Sequence, residues 1–407
     1  MTLETSTQPE FAVHFERTFL ALRGSLTELI LAAGGDPGRP QEMARGFGLD
    51  KTLAWKISKL MTGREPIPSV RHLPGSNGLE IVLTRLQQAG APAQRLAAVR
   101  AARDSFEHMV GVQAGDRATL EVMLGSMTRE PAHSPRLESA RKKSFQGNSS
   151  TWGVQARLRW GTQLVTPNAD DPDRVDLAVL SGYVDFRRLR RTAWPLVHVR
   201  SYGEADASSD QPLDPTIRSG PALLPEFCSH PLPDVRVLPE DGGAVYELAE
   251  GPIGNPRAVT CALGWINRSF ASAVVPEDEV EEQPVAEHSL VLDTPVEEVQ
   301  FDVFFHRSLP FEELPRAALF SLMEGRPAFP LSQQDRYLLE LPLQVQRLGS
   351  RPPVVTTPEL PRYAKMLELA CDRLGSSLSE FAGYRLRLRY PPIPTMPFLY
   401  HRLPRRG

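Results

Sequence analysis

Between residues 11 and 33 the apolar positions Phe11, Phe15, Phe19, Leu22, Leu26, Leu29 and Ile30 recur at three- and four-residue steps, with Glu16, Arg17, Arg23 and Glu28 between them. This period puts the apolar set on one face of an α-helix. Gly34-Gly35-Asp36-Pro37-Gly38 then ends the helix, because glycine accepts left-handed backbone and proline cannot continue a helical ladder. No strand precedes this turn and no Gly-Lys-Ser/Thr follows it, so it lacks the parts of a phosphate-binding loop. The helical period resumes in two short runs across residues 40–62, breaks at 62–68, and returns over 79–89, 93–109 and 116–127. Leu79, Val82, Leu83 and Leu86 share a face in the first of these three, and Leu96, Val99, Ala102, Phe106 and Val110 in the second. Residues 1–130 are therefore expected to form an all-helical region with its own core.

The pattern changes beyond that point. Residues 131–150 read as a basic linker or docking segment, with Pro131, Pro135, Arg136, Arg141, Lys142, Lys143, Gly147 and Asn148 and little apolar repetition. Val154, Ala156, Leu158 and Trp160 then alternate with Gln155, Arg157, Arg159 and Gly161, the period of two expected of a half-buried strand over 154–164. Further strands are expected at 173–185, 194–202, 245–248, 259–269, 300–306, 336–347 and 384–390, with Pro342 marking 336–347 as an edge or bulged strand. Helices are expected at 314–323 and 358–374. Residues 204–241, rich in Pro, Ser and Asp, read as an irregular excursion, and 276–288 as an exposed acidic loop. The expected fold is multidomain: an all-α N-terminal region, then an α+β region over 151–407 with a mainly antiparallel sheet.

Only residues 40–62 carry a pattern that points to a biochemical activity. Two short helices meet at Gly48, which takes the positive φ of a sharp interhelical turn without steric cost. Ala44 is small where the helices cross, and Met43, Phe47, Leu49, Leu53, Ala54, Ile57 and Leu60 fall inward. Asp50 has the position of an N-cap for the second helix. Lys51, Thr52, Trp55, Lys56 and Lys59 are left outward. The stretch resembles the DNA-binding helix-turn-helix of bacterial and phage transcription regulators, in the manner of LacI-like and phage-repressor-like families. It covers little more than twenty of 407 residues, so the resemblance identifies a module within the chain. It implies that the second helix enters the major groove of double-stranded DNA, with Lys51, Thr52, Trp55, Lys56 and Lys59 facing the duplex and Arg64 just beyond. It also implies a homodimer or higher homo-oligomer on paired half-sites, since one headpiece buries too little surface for tight binding.

Charge changes the picture locally. The formal net charge is −3, yet residues 36–71 hold seven Lys or Arg (Arg39, Arg45, Lys51, Lys56, Lys59, Arg64, Arg71) against Asp36, Glu42, Asp50 and Glu65. A surplus on a small module is what phosphate contact requires, because each neutralised phosphate releases counterions. Arg187-Arg188-Leu189-Arg190-Arg191 is a second basic cluster, read as an anion or phosphate site, as a charged edge that discourages strand pairing, or as a salt-bridged helix turn. Arg385, Arg387 and Arg389 form one face of a strand and call for solvent or an anion. No segment approaches the length of a membrane span, and residues 1–10 have no signal-peptide core, so a cytoplasmic protein is expected.

Catalytic signatures are missing from the sequence. The nine histidines stand singly, Cys228, Cys261 and Cys371 form no Cys-x-x-Cys pair, and there is no Gly-x-Ser-x-Gly or Walker loop. The cysteines read as small buried hydrophobes in a reducing compartment. No catalytic residue, metal ligand or cofactor is assigned. The expected function is a DNA-binding transcription regulator whose C-terminal region oligomerises or senses an effector that the sequence does not name. The alternative is a protein-interaction or scaffold component whose helix-turn-helix serves assembly.

Overall fold

A computed structural model describes residues 7–127, 135–200, 211–240, 243–275, 285–311, 314–323, 337–341, 343–349 and 351–404. The chain divides into two compact units, Met1–Glu130 and Pro131–Gly407.

The N-terminal unit is helical: α1 Thr7–Ala32, α2 Pro40–Phe47, α3 Lys51–Thr62, α4 Pro66–Val70, α5 Ser76–Gln88, α6 Ala93–Gln113 and α7 Arg117–Met127. Its core joins the apolar stripe of α1 to those of α5 and α6, with Phe15 and Phe19 stacked at 5.5 Å and Phe106 of α6 edge-on to Phe15. Each buried aromatic ring of this kind contributes more than its area through the edge-to-face geometry. Gly35, after α1, is required by close approach: a Cβ there would lie 2.7 Å from the Phe47 ring and 2.8 Å from Ile30. That contact sets where α2 leaves α1. The stretch expected to be a break contains α4, which starts on Pro66, where a missing N–H and a fixed φ suit the first helical turn.

The C-terminal unit opens with α8, Pro135–Trp152, in the segment expected to be a linker. It is held by a stripe of mixed chemistry on one face. Glu138 pairs with Arg389 at 2.8 Å, Arg141 donates to the Arg389 carbonyl, Lys142 lies over the Tyr390 ring, and Phe145 packs against the same ring at 5.5 Å. Positions 138, 141, 142 and 145 are helically spaced, but three of the four are charged, so an apolar period could not reveal them.

The strands are β1 Val154–Pro167, β2 Arg174–Arg188, β3 Trp194–Arg200, β4 Gln211–Pro212, β5 Val235–Glu240, β6 Gly243–Leu248, β7 Val259–Ser272, β8 Val285–Ser289, β9 Val296–His306, β10 Arg316–Ser321, β11 Leu338–Leu339 and β12 Val345–Arg347. Helix α9, Tyr363–Leu374, and strands β13, Phe381–Arg389, and β14, Thr395–Arg402, follow. A seven-stranded sheet has the order β12-β13-β9-β1-β2-β7-β4, beside a four-stranded sheet β11-β10-β14-β8 and a three-stranded sheet β3-β6-β5. β1 and β9 run parallel; the other strand pairs are antiparallel. The unit is thus a mixed, sheet-rich fold. The large sheet is buried on both faces. Trp160, Phe304 and Phe381 share one core with Tyr363, Met366 and Leu367 of α9, while Phe301, Val303 and Phe305 share another with Leu319 of β10 and Leu399 of β14.

Several expectations are corrected. Residues 314–323 hold a strand, β10, and no helix: Ala317, Leu319 and Ser321 pair with β14, and the sheet partner overrides the helix preference of Ala and Leu. Within 204–241, Leu213, Leu223, Leu224 and Phe227 are buried in the main core and 235–240 is β5, so the described part of that excursion is integral to the fold. Residues 285–288 of the expected acidic loop belong to β8, while 276–284 lie outside the described residues. Residues 336–347 give two short strands instead of one, with Pro342 and residue 336 outside the described set.

The arginine face of β13 needs neither solvent nor a foreign anion. Its register sets Arg385 against Asp302, Arg387 against Gln300 and Arg389 against Glu298 of β9. Arg385 Nη2 reaches Asp302 Oδ2 at 2.7 Å, and the Tyr363 hydroxyl donates to the same oxygen at 2.6 Å. Burial pushes the Asp302 carboxyl up, and the Arg385 fork and Tyr363 hydroxyl oppose it.

Candidate nucleic-acid interface

The outward face of α3 is prepared by how its inward face is anchored. Ala54, Ile57 and Leu60 are fully buried, Met43, Ala44 and Leu49 are buried, and Phe47 and Leu53 pack against the same core. Ser58 is buried and donates to the Pro37 carbonyl at 2.7 Å, tying the helix to the loop after α1. Arg23 of α1 donates to the Gly63 carbonyl at 2.9 Å, which fixes the far end.

At the near end, Gly48 has φ 62° and ψ 35°, and its N–H donates to the Ala44 carbonyl. A Cβ at Gly48 would meet nothing within 4 Å, so the requirement is conformational and not spatial. Asp50 caps α3, its Oδ1 accepting from the Thr52 and Leu53 amides at 2.8 and 3.2 Å. The Leu53 and Thr52 amides hold the Asp50 carboxyl below its usual range. Its charge faces the positive end of the helix dipole and orders the first turn.

The α3 residues expected at the interface all lie on the open side. Lys51, Thr52, Lys56 and Lys59 are exposed, and Trp55 is 45% exposed. Helical steps of three and four connect 52, 55, 56 and 59, so one stripe carries them. Arg64 is also exposed, past the C-terminus of α3. Two residues that the sequence pattern did not single out as interface residues join the cluster. His72 meets Trp55 edge-on at 5.3 Å, and Arg71 Nε donates to His72 Nε2 at 3.3 Å. Lys59 Nζ lies 6.0 Å from the centre of the Trp55 ring. Partial burial, then the charges of Arg71, Lys59 and Lys56, pull the His72 pKa below its ordinary 6.5. The fold of α4 brings His72 and Arg71 here; apart from the basic surplus that already counts Arg71, no spacing rule connects them to α3.

Charge compensation is uneven in this region. Asp36 and Glu42 both pair with Arg39, and Asp50 is committed to its cap. Among the described residues, Arg45, Lys51, Lys56, Lys59, Arg64 and Arg71 have no ion-pair partner within 4.0 Å. Lys56, Lys59 and Arg71, gathered with His72 beside a half-exposed tryptophan, can accept phosphates electrostatically and offer an indole face or edge to a sugar or base.

The other basic cluster behaves differently. Arg187 pairs with Glu297 at 2.9 Å, Arg188 donates to the Thr192 and Ala249 carbonyls, and Arg190 donates to the Thr151 carbonyl. These arginines brace their own fold. Among the described residues, no group of three His, Cys, Asp or Glu side chains is arranged to hold a metal. Two histidines distant in sequence, His288 and His401, stack at 5.7 Å, and burial pushes them down to about 3 and about 4. The three cysteines are buried free thiols, and burial pushes those of Cys261 and Cys371 up to about 12. Among the described residues, no helix is long and apolar enough to cross a membrane.

Comparison with protein-family models, with curated proteins and with solved structures finds no match for this chain.

Proposed function

We propose that this chain is a DNA-binding transcription regulator in which α2, Gly48 and α3 act as a helix-turn-helix, with α3 entering the major groove. The supporting observation is the exposed stripe of α3, where Lys51, Lys56 and Lys59 have no ion-pair partner and half-exposed Trp55 meets Lys59 and the His72–Arg71 pair. In this reading Lys51, Lys56, Lys59 and Arg64 contact phosphate or guanine, Thr52 a base edge or phosphate, and Trp55 a thymine methyl or deoxyribose. Arg71 adds a further phosphate contact. The C-terminal unit serves oligomerisation or effector sensing, and two copies bind paired half-sites.

Trp55 also suits a second reading, since tryptophan is enriched among the residues that anchor protein interfaces and this one is 45% exposed. Salt separates the two. Binding of a mixed-sequence duplex by fluorescence anisotropy, at a series of salt concentrations, is expected to show a steep linear fall of log K with log salt. Lys56→Ala with Lys59→Ala is expected to flatten that slope by about 2, at roughly 0.9 for each phosphate no longer neutralised. A slope near zero, or one the double variant leaves unchanged, would favour the assembly role.

A further inference from the structure

Arg159 of β1 is expected from alternation to face solvent, yet it is 3% exposed. Its Nη1 donates to the Trp160 and Gly182 carbonyls and to Ser181 Oγ, at 2.7, 3.2 and 2.8 Å. Its guanidinium stacks 4.8 Å from the centre of the Tyr183 ring. Every one of these partners is neutral. The buried Nε has no hydrogen-bond partner, and no carboxylate among the described residues pairs with this side chain. Arginine is a permanent cation, and a buried cation without a counter-ion is disfavoured. Elsewhere in the same sheet the buried Arg385 has its carboxylate, Asp302, so the lack of one at Arg159 is specific to this place.

Arg159 also lines a cavity of about 450 Å³ within the C-terminal unit. The register of β1, β2 and β7 puts Gln163, Val179 and Trp265 in one row and Leu177 and Asn267 in the next, all on the cavity side. Leu290 closes over Gly161, where a Cβ would lie 2.7 Å from its Cδ1. The walls are mostly apolar, with Ser181, Gln163, Asn267, Ser289 and His198 as polar points. The size and composition are those of a small-molecule site: a few hundred cubic ångströms, apolar, with a few convergent polar groups. Asp293 is a carboxylate on the same lining, and it accepts from the Thr294 hydroxyl at 3.1 Å. A second negative charge on a ligand would be repelled there.

We propose that this cavity binds an amphipathic monocarboxylate, its carboxylate accepting from the Arg159 guanidinium and its apolar body lying against Val179, Trp265 and Leu290. A carboxylate matches the planar fork of a guanidinium at two points and supplies the missing counter-charge. The apolar walls hold the remainder by burial. This site gives the C-terminal unit a ligand class, and it stands independently of DNA binding.

The test is calorimetric titration of the full chain, without DNA, with three probes: 4-phenylbutyrate, indole-3-acetate and octanoate, each against its primary amide. At least one carboxylate is expected to bind one per chain, with its amide weaker by about tenfold or more, the usual difference between a charge-assisted and a neutral hydrogen bond. Arg159→Gln is expected to bring the carboxylate down to the affinity of the amide. Val179→Trp, which places an indole in the cavity, is expected to abolish binding of both. Because the acid–amide comparison uses the unaltered protein, it holds even where the Arg159 variant fails to fold. Equal affinities for acid and amide, binding that survives Val179→Trp, or no binding of any of the three carboxylates at about 10 mM would overturn the proposal and leave Arg159 as a structural brace.

Discussion

The imidazole of His72 sits among Arg71, Lys59 and Lys56, and its Nε2 accepts a hydrogen bond from Arg71, the role of a neutral ring. A DNA phosphate placed against this cluster would offset those three charges and raise the His72 pKa. Binding then takes up a proton, so affinity is expected to rise as pH falls from 6.5 through the lowered value of the free protein. Anisotropy titrations between pH 7.5 and 5.5, with His72→Gln alongside, check this: the variant should lose that part of the pH dependence. Asp302 illustrates a residue whose role is stability. It is wholly buried, and Arg385, at 5% exposure, depends on it for charge balance. Asp302→Ala leaves that guanidinium uncompensated and is expected to destabilise the C-terminal unit by about 3–5 kcal/mol in chemical denaturation.

The turn between α2 and α3 concentrates a backbone requirement in one glycine. Gly48→Ala introduces no clash, so the expected loss of about 1–2 kcal/mol comes from the left-handed φ alone and should appear as a lower unfolding midpoint of the N-terminal unit. The elements legible in the sequence are those whose partners share a simple period. The stripe from Phe11 to Ile30 on α1 and the alternation from Val154 to Trp160 on β1 correspond to buried faces. The elements missed have partners that periodicity does not encode. Helix α8 holds its place through Glu138, Arg141 and Lys142, which read as solvated charge. Strand β10 takes its conformation from β14, about eighty residues further along the chain. The arginines of β13 are matched by Glu298, Gln300 and Asp302, alternating on β9; that cross-strand complementarity was present in the sequence, but only the pairing reveals it. The candidate interface was legible along α3, through its own helical spacing. Arg71 and His72 were not, because they reach it through the turn at α4.

At the scale of the whole molecule, a net charge of −3 sits alongside a concentrated basic patch. The chain has six lysines, and three of them, Lys51, Lys56 and Lys59, lie on α3; the others are Lys142 and Lys143 on α8 and Lys365 on α9. This distribution makes lysine acetylation a direct test of whether duplex DNA covers α3. The decisive measurement is mass-spectrometric quantification of acetylation at each lysine of the full chain, with and without a mixed-sequence duplex at low salt, where electrostatic binding is strongest. With duplex bound, labelling of Lys51, Lys56 and Lys59 is expected to fall while the exposed Lys365 is labelled as before. Unchanged labelling of the three α3 lysines in the presence of saturating duplex would contradict the assignment of this face to DNA.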